Sequence, residues 1–109
     1  MTLVLPLKTI RDEDRERVGG KAFSLARMAQ SGMKVPDTLC VTIDAYMRFV
    51  RESGLRERIL MELNRKAFKD MRWEEMWDTA LRIRNMFLNT RLSKELGRIL
   101  RDAVVSVFE

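Results

Sequence analysis

Gly19, Gly20 and Lys21 stand together between a charged segment and an apolar helical pattern. Glycine has no Cβ, so two in succession let a ligand come close to the main chain. The pattern that follows predicts a helix opening here, and the first N–H groups of a helix have no partners inside it. Those groups and the helix dipole attract an anion, and Lys21 adds a full positive charge. Such an arrangement suits a phosphate. The tripeptide is short, however, and the same string also serves as a plain loop before a helix with its lysine in water.

Other chemistries are narrowed by what the sequence lacks. It has no histidine and one cysteine, Cys40. An intramolecular disulfide, a cysteine-rich metal site and a Ser-His-Asp arrangement are therefore excluded. Cys40 lies in an apolar stretch with no histidine to activate it, and reads as a small buried hydrophobe. Glu74 and Glu75 are adjacent, and adjacent helical residues do not face one another, so they read as a solvated face rather than a catalytic carboxylate pair.

The net charge of +5 permits a phosphate or nucleic-acid partner without demanding one. Its densest cluster is Arg65, Lys66, Lys69 and Arg72, the kind of group a basic nucleic-acid-binding helix would use. No helix-turn-helix, zinc-finger or RNA-binding signature accompanies it. No apolar run reaches membrane-span length and no signal-peptide pattern opens the chain, which predicts a cytoplasmic protein.

The elements that must position these residues follow from periodicity. The 109 residues, 46% of them hydrophobic, provide for one domain or fragment with one modest core. A strand is predicted over 3–7, limited by Pro6. Residues 8–18 read as a surface loop or a short helical turn. The first helix covers 20–31, with Gly32 as a left-handed cap. Val35-Pro36 enforces an extended backbone before a second strand over 38–42.

Thr42 caps a second helix whose buried stripe is Tyr46, Met47, Phe49 and Val50, and Gly54 stops it. A third helix covers 55–68, with Ile59, Leu60, Leu63 and Ala67 inward. A fourth covers 72–88 with Trp73, Met76, Trp77, Ala80, Leu81 and Phe87 on its stripe. Trp73 and Trp77 lie one turn apart, and are expected to bury against the sheet or the last helix; a base-stacking platform is the other reading. The last helix begins near Ser93 and carries Leu96, Ile99, Leu100, Ala103, Val104 and Val107. Its stripe runs to Val107-Phe108-Glu109 with no polar stop, which suggests a chain that once continued. The fold class is α+β, helix-dominated, with about five helices and a small two-stranded element near the N-terminus.

From Val18 onward the order of residues resembles a known family. Val18-Gly19-Gly20-Lys21, then Leu25, Ser31-Gly32, Val35-Pro36, Val41-Thr42 and Ala45-Tyr46 resemble the N-terminal part of the nucleotide-binding domain of the phosphoenolpyruvate synthase and pyruvate, phosphate dikinase family. Rifampin phosphotransferase and the glucan, water dikinases share related domains. The likeness is sharp over 18–50 and looser over 55–109, where Leu92, Leu96, Ile99 and Leu100 resemble the helix before a second family segment.

The resemblance implies an ATP-grasp-type fold with ATP between two subdomains and a phosphate passed to a histidine on a separate domain. It implies that Lys21 is a phosphate ligand and that Gly19 and Gly20 give ATP backbone room. Asp37-Thr38-Leu39 departs from the family, which has glycine and phenylalanine in this turn. The family's Arg-Ser-Ser segment, its acidic magnesium ligands and its phosphorylatable histidine are not among these residues. The chain is thus expected to contact ATP but to be incomplete for catalysis alone, with the remainder of a parent enzyme, or a homo-oligomer partner, completing it. A non-catalytic scaffold that self-associates and a basic nucleic-acid-binding module are the alternatives.

Overall fold

The computed structural model describes residues 2–108. Two strands and five helices follow one another among them: β1 (Val4–Pro6), α1 (Arg15–Gln30), β2 (Leu39–Val41), α2 (Ile43–Glu52), α3 (Leu55–Leu63), α4 (Trp73–Leu88) and α5 (Lys94–Phe108). Short 3₁₀ turns lie at Leu7–Thr9, Asp12–Asp14 and Phe68–Asp70. The fold is helix-dominated, as the periodicity predicts. The residues form two compact units. One comprises the chain up to Arg48 together with Lys94 onward, and the other comprises Phe49–Ser93.

In the first unit β1 and β2 pair antiparallel, with Leu5 opposite Cys40 and Pro6 opposite Leu39. The ladder is extended at one end by Leu7 N–H donating to the Thr38 carbonyl, and at the other by Thr42 N–H donating to the Leu3 carbonyl. Leu7, Ile10 and Ala26 form the buried centre, and Leu5, Val18, Phe23, Leu25, Ala29, Val35 and Cys40 pack around it. Apolar side chains at helical spacing on α1 thus meet the strand and the 3₁₀ turn that follows it. Burial pushes the Cys40 thiol pKa up, which suits its packing role. Helix α5 lies against both strands.

The end of α1 shows why a glycine is needed there. Gly32 adopts φ +93, and its N–H donates to the Ala29 carbonyl while Met33 N–H donates to Met28. This is the Schellman arrangement, which requires a left-handed residue after the helix. Thr38, standing where the family has glycine, needs no such freedom, because no non-glycine residue among those described has positive φ. The turn is instead closed by the Thr38 hydroxyl donating to the Pro36 carbonyl at 2.7 Å.

In the second unit α3 packs on α4, with Leu55 fully buried and Phe49 and Phe87 rings 6.3 Å apart. Helix α3 ends at Leu63, short of the predicted 68. Asn64 closes it, and the chain turns so that Lys66 reaches Glu75 of α4. Several residues predicted as buried are exposed: Tyr46 and Met47 on α2, Leu60, Leu63 and Ala67 on and after α3, Trp73, Trp77, Ala80 and Leu81 on α4, and Val104 on α5. Periodicity identifies residues that share a face; it does not say that anything covers that face. In a pair of helices each shields only one side of the other. Met28, Met33 and Met61 are exposed as well.

Candidate functional site

The glycine pair interrupts α1. Gly19 has φ 80 and ψ 171, so Arg15–Val18 is a separate turn and the continuous helix starts at Gly20. This is the predicted helix start. The left-handed φ is one that L side chains rarely adopt, so position 19 calls for glycine on backbone grounds. Position 20 does not: its φ is ordinary, and a Cβ there would meet nothing within 4 Å. A Cβ at position 19 would likewise stand in open space. The main chain at both residues is therefore open to an approaching group.

Lys21 is exposed, and its ammonium makes no hydrogen bond or ion pair among the described residues. The cation stands next to the break and is spent on no carboxylate. The structure thus places Gly19, Gly20 and Lys21 together at a helix start, with main chain and charge both accessible.

Contacts around the break fix its position. Val18, Phe23 and Leu25 anchor it to the core on either side. Gln30 Nε2 donates to the Ile10 carbonyl at 2.7 Å, tying the far end of α1 to the segment before it. Arg27 pairs with Asp12 at 2.7 Å. The guanidinium groups of Arg15 and Arg27 both lie over the Phe23 ring, at 5.4 and 5.6 Å from its centroid. Arg17 Nε lies 3.8 Å from Asp44 Oδ2, an ion pair too long to be a hydrogen bond, and that oxygen is buried with no hydrogen-bond partner.

None of these supporting contacts is anticipated by the sequence reading. The Phe23–Arg27 pair has a local signal, since residues four apart on a helix are neighbours. The Arg17–Asp44 pair has none, because the two residues lie on different elements.

The second unit disposes of two other candidates. Glu75 is not free for catalysis: it pairs with Lys66 at 2.8 Å and Arg72 at 3.2 Å. Arg65 is paired with Glu62 at 3.1 Å, so three members of the basic cluster share two carboxylates. That partial neutralisation weakens the cluster's attraction for a nucleic acid. Glu62 also accepts from Arg82, and these groups line a polar depression of about 230 Å³. The Arg82 hydrogen bond, aided by the charges of Arg82 and Arg65, holds the Glu62 carboxyl below the usual range against the opposing effect of burial. Lys66, with Arg72, does the same for Glu75. This is an ion-pair network joining α3 to α4.

With that geometry in view, comparison with known proteins identifies the class. Residues 15–109 match the family described as the pyruvate phosphate dikinase AMP/ATP-binding domain, and the chain belongs to that family. It is 34% identical over 101 residues to phosphoenolpyruvate synthase of Aeropyrum pernix, which covers 93% of this chain and 12% of that protein. Against phosphoenolpyruvate synthase of Escherichia coli it is 30% identical over 105 residues, 93% of this chain and 13% of that protein. A shorter likeness, 39% over 49 residues, links 45% of the chain to 6% of the prodigiosin synthesizing transferase PigC of Serratia marcescens. The chain spans about an eighth of the length of the two synthases. No helix among the described residues is long and apolar enough to cross a membrane.

Proposed function

We propose that this chain is the N-terminal segment of an ATP-grasp-type nucleotide-binding domain in an ATP-dependent phosphotransferase of the phosphoenolpyruvate synthase and pyruvate, phosphate dikinase kind. Gly19, Gly20 and Lys21 form one wall of the ATP site. The observation that carries this reading is an unpaired lysine beside an open, left-handed glycine, at a helix start, in a chain of an AMP/ATP-binding family. Lys21 neutralises phosphate charge, and the main chain at Gly19 and Gly20 admits the phosphate chain. Positioning and charge neutralisation are what phosphoryl transfer asks of protein groups.

Magnesium, which ATP brings in the family, finds no fitting donor set here. Asp12 is paired with Arg27, Asp14 accepts from the Arg11 amide, and among the described residues no three carboxylates or other metal-ligating side chains come together. The metal's ligands, the phosphate acceptor and the histidine that relays phosphate belong to the remainder of a parent enzyme. The chain alone binds ATP weakly and turns nothing over. Calorimetric titration of ATP into the wild type and Lys21→Ala tests this. At least a tenfold loss of affinity is expected. Equal affinity would remove Lys21 from the site, and turnover by the isolated chain would refute its incompleteness.

A further inference from the structure

The turn Arg15–Val18 meets the continuous part of α1 at Gly19. Glycine allows many backbone angles, so the break does not itself fix how the turn is set against the helix. Side chains do that. Val18 packs on the core, and the Arg15 guanidinium lies over the Phe23 ring. Arg17 stands between two carboxylates, 4.0 Å from Asp14 Oδ1 and 3.8 Å from Asp44 Oδ2. Its side chain makes no hydrogen bond among the described residues, so charge alone holds it.

The two carboxylates differ in what they offer. Asp14 immediately precedes the turn and belongs to the same stretch of chain as Arg17. Asp44 belongs to the first turn of α2, a separate element with its own anchorage. Thr42, 1% exposed, donates its hydroxyl to the Thr2 carbonyl at 2.7 Å, and Ala45 is buried. Asp44 is thus the fixed end of the tie and Arg17 the end attached to the turn. Asp44 Oδ2 is buried with no hydrogen-bond partner among the described residues, so Arg17 is what compensates its charge.

Given the nucleotide site proposed above, we infer that Asp44, acting through Arg17, is a positioning residue of that site: the tie sets the Arg15–Val18 turn so that the main chain of Gly19 and Gly20 stays open to phosphate. The sign of one substitution separates this role from that of a bystander. A bystander carboxylate repels a polyphosphate, and its removal strengthens binding. A positioning Asp44 does the reverse. Asp44→Asn frees the turn, and the nucleotide must then order it at a cost in affinity. Since the tie is charge without a hydrogen bond, Arg17→Lys preserves it and Arg17→Gln does not.

Calorimetric titration of ATP into the full chain, with nitrogen-15 relaxation of the Gly19 and Gly20 amides before nucleotide is added, tests the proposal. Asp44→Asn and Arg17→Gln should each weaken ATP binding about fivefold and raise the mobility of both amides. Arg17→Lys should stay within about twofold of the wild type. The double variant should lose no more than either single one, because both remove the same interaction. Unchanged or tighter binding in Asp44→Asn overturns the proposal, as do amides whose mobility does not change. Additive losses in the double variant overturn it too, since Arg17 would then contact phosphate on its own account. If Arg17→Gln fails to fold, Asp44→Asn gives the deciding result. Lys21→Ala separates the two claims. A loss there with none in Asp44→Asn overturns the positioning role and leaves the nucleotide site standing, whereas a wild type that binds no ATP overturns both.

Discussion

Arg17 Nε and Asp44 Oδ2 lie 3.8 Å apart, and the Asp44 oxygen has no hydrogen-bond partner among the described residues. The pair joins the turn just before Gly19 to the first turn of α2. Arg17→Ala leaves a buried carboxylate oxygen without its compensating charge. A loss of about 1 kcal/mol in folding stability is expected, since an orphaned buried acceptor costs its desolvation. Urea unfolding checks it. Asp44→Asn should cost less, because a neutral amide is cheaper to leave unpaired in the interior than a charged carboxylate.

Positions 19 and 20 separate backbone geometry from ligand access. Gly19→Ala must hold alanine at φ 80, at a cost of about 1–2 kcal/mol. Gly20→Ala meets no neighbour and gains helix propensity, so stability should hold or rise by up to about 1 kcal/mol. Nucleotide affinity should nevertheless fall with Gly20→Val, whose side chain obstructs the open main chain. Thermal unfolding and ATP titration on the same variants give the two readings. Unchanged affinity in Gly20→Val would show that no phosphate approaches there.

Stability should depend on pH through Glu62 and Glu75. Both carboxyls are held below their ordinary range by Arg82 and Lys66. Below the unfolded-state pKa the unfolded chain takes up protons that the folded chain still refuses. The stabilisation is therefore full above that pKa, and is lost as pH falls through the lower folded value. Unfolding measured from about pH 6 to about pH 2 should show a midpoint that declines on acidification. In Glu62→Gln the decline should be smaller.

Leu55 is fully buried in the second unit, whereas Trp77 is mostly exposed. Leu55→Ala should cost about 2–5 kcal/mol, the range for a leucine truncated in a packed interior. Trp77→Ala should change the stability of the monomer by no more than about 0.5 kcal/mol. Parallel denaturation of the two variants at low protein concentration checks the contrast.

Much of the backbone was legible in advance. Gly32 and Gly54 were readable as helix stops because left-handed positions favour a residue without Cβ, and both adopt positive φ. The 3.6-residue repeat over Trp73–Leu88 located α4 to within a residue. The short apolar runs around Leu5 and Cys40 located the paired strands. The helical turn at Arg15–Val18 was not separable from its loop, because charged residues on every side give no stripe to follow.

Burial was less legible than backbone. Trp73 and Trp77 share a face as expected, yet that face lies open, since the repeat along one helix carries no information about what lies opposite. At the candidate site, the helix start at Gly20 could be read from three consecutive residues, whereas the missing partner of Lys21 could not. The Arg17–Asp44 pair could not, because long-range ion pairs leave no local pattern. The partners of the basic cluster were hidden for a related reason: Arg65, Lys66 and Arg72 meet Glu62 and Glu75 only in the fold.

Thr42 donates its hydroxyl to the main-chain oxygen of Thr2 at 2.7 Å, and is itself almost wholly enclosed. Thr2 and Leu3 thus form a clasp on the entrance to α2. Trimming them, as is common when a domain is recloned, would strip the clasp and strand an interior hydroxyl.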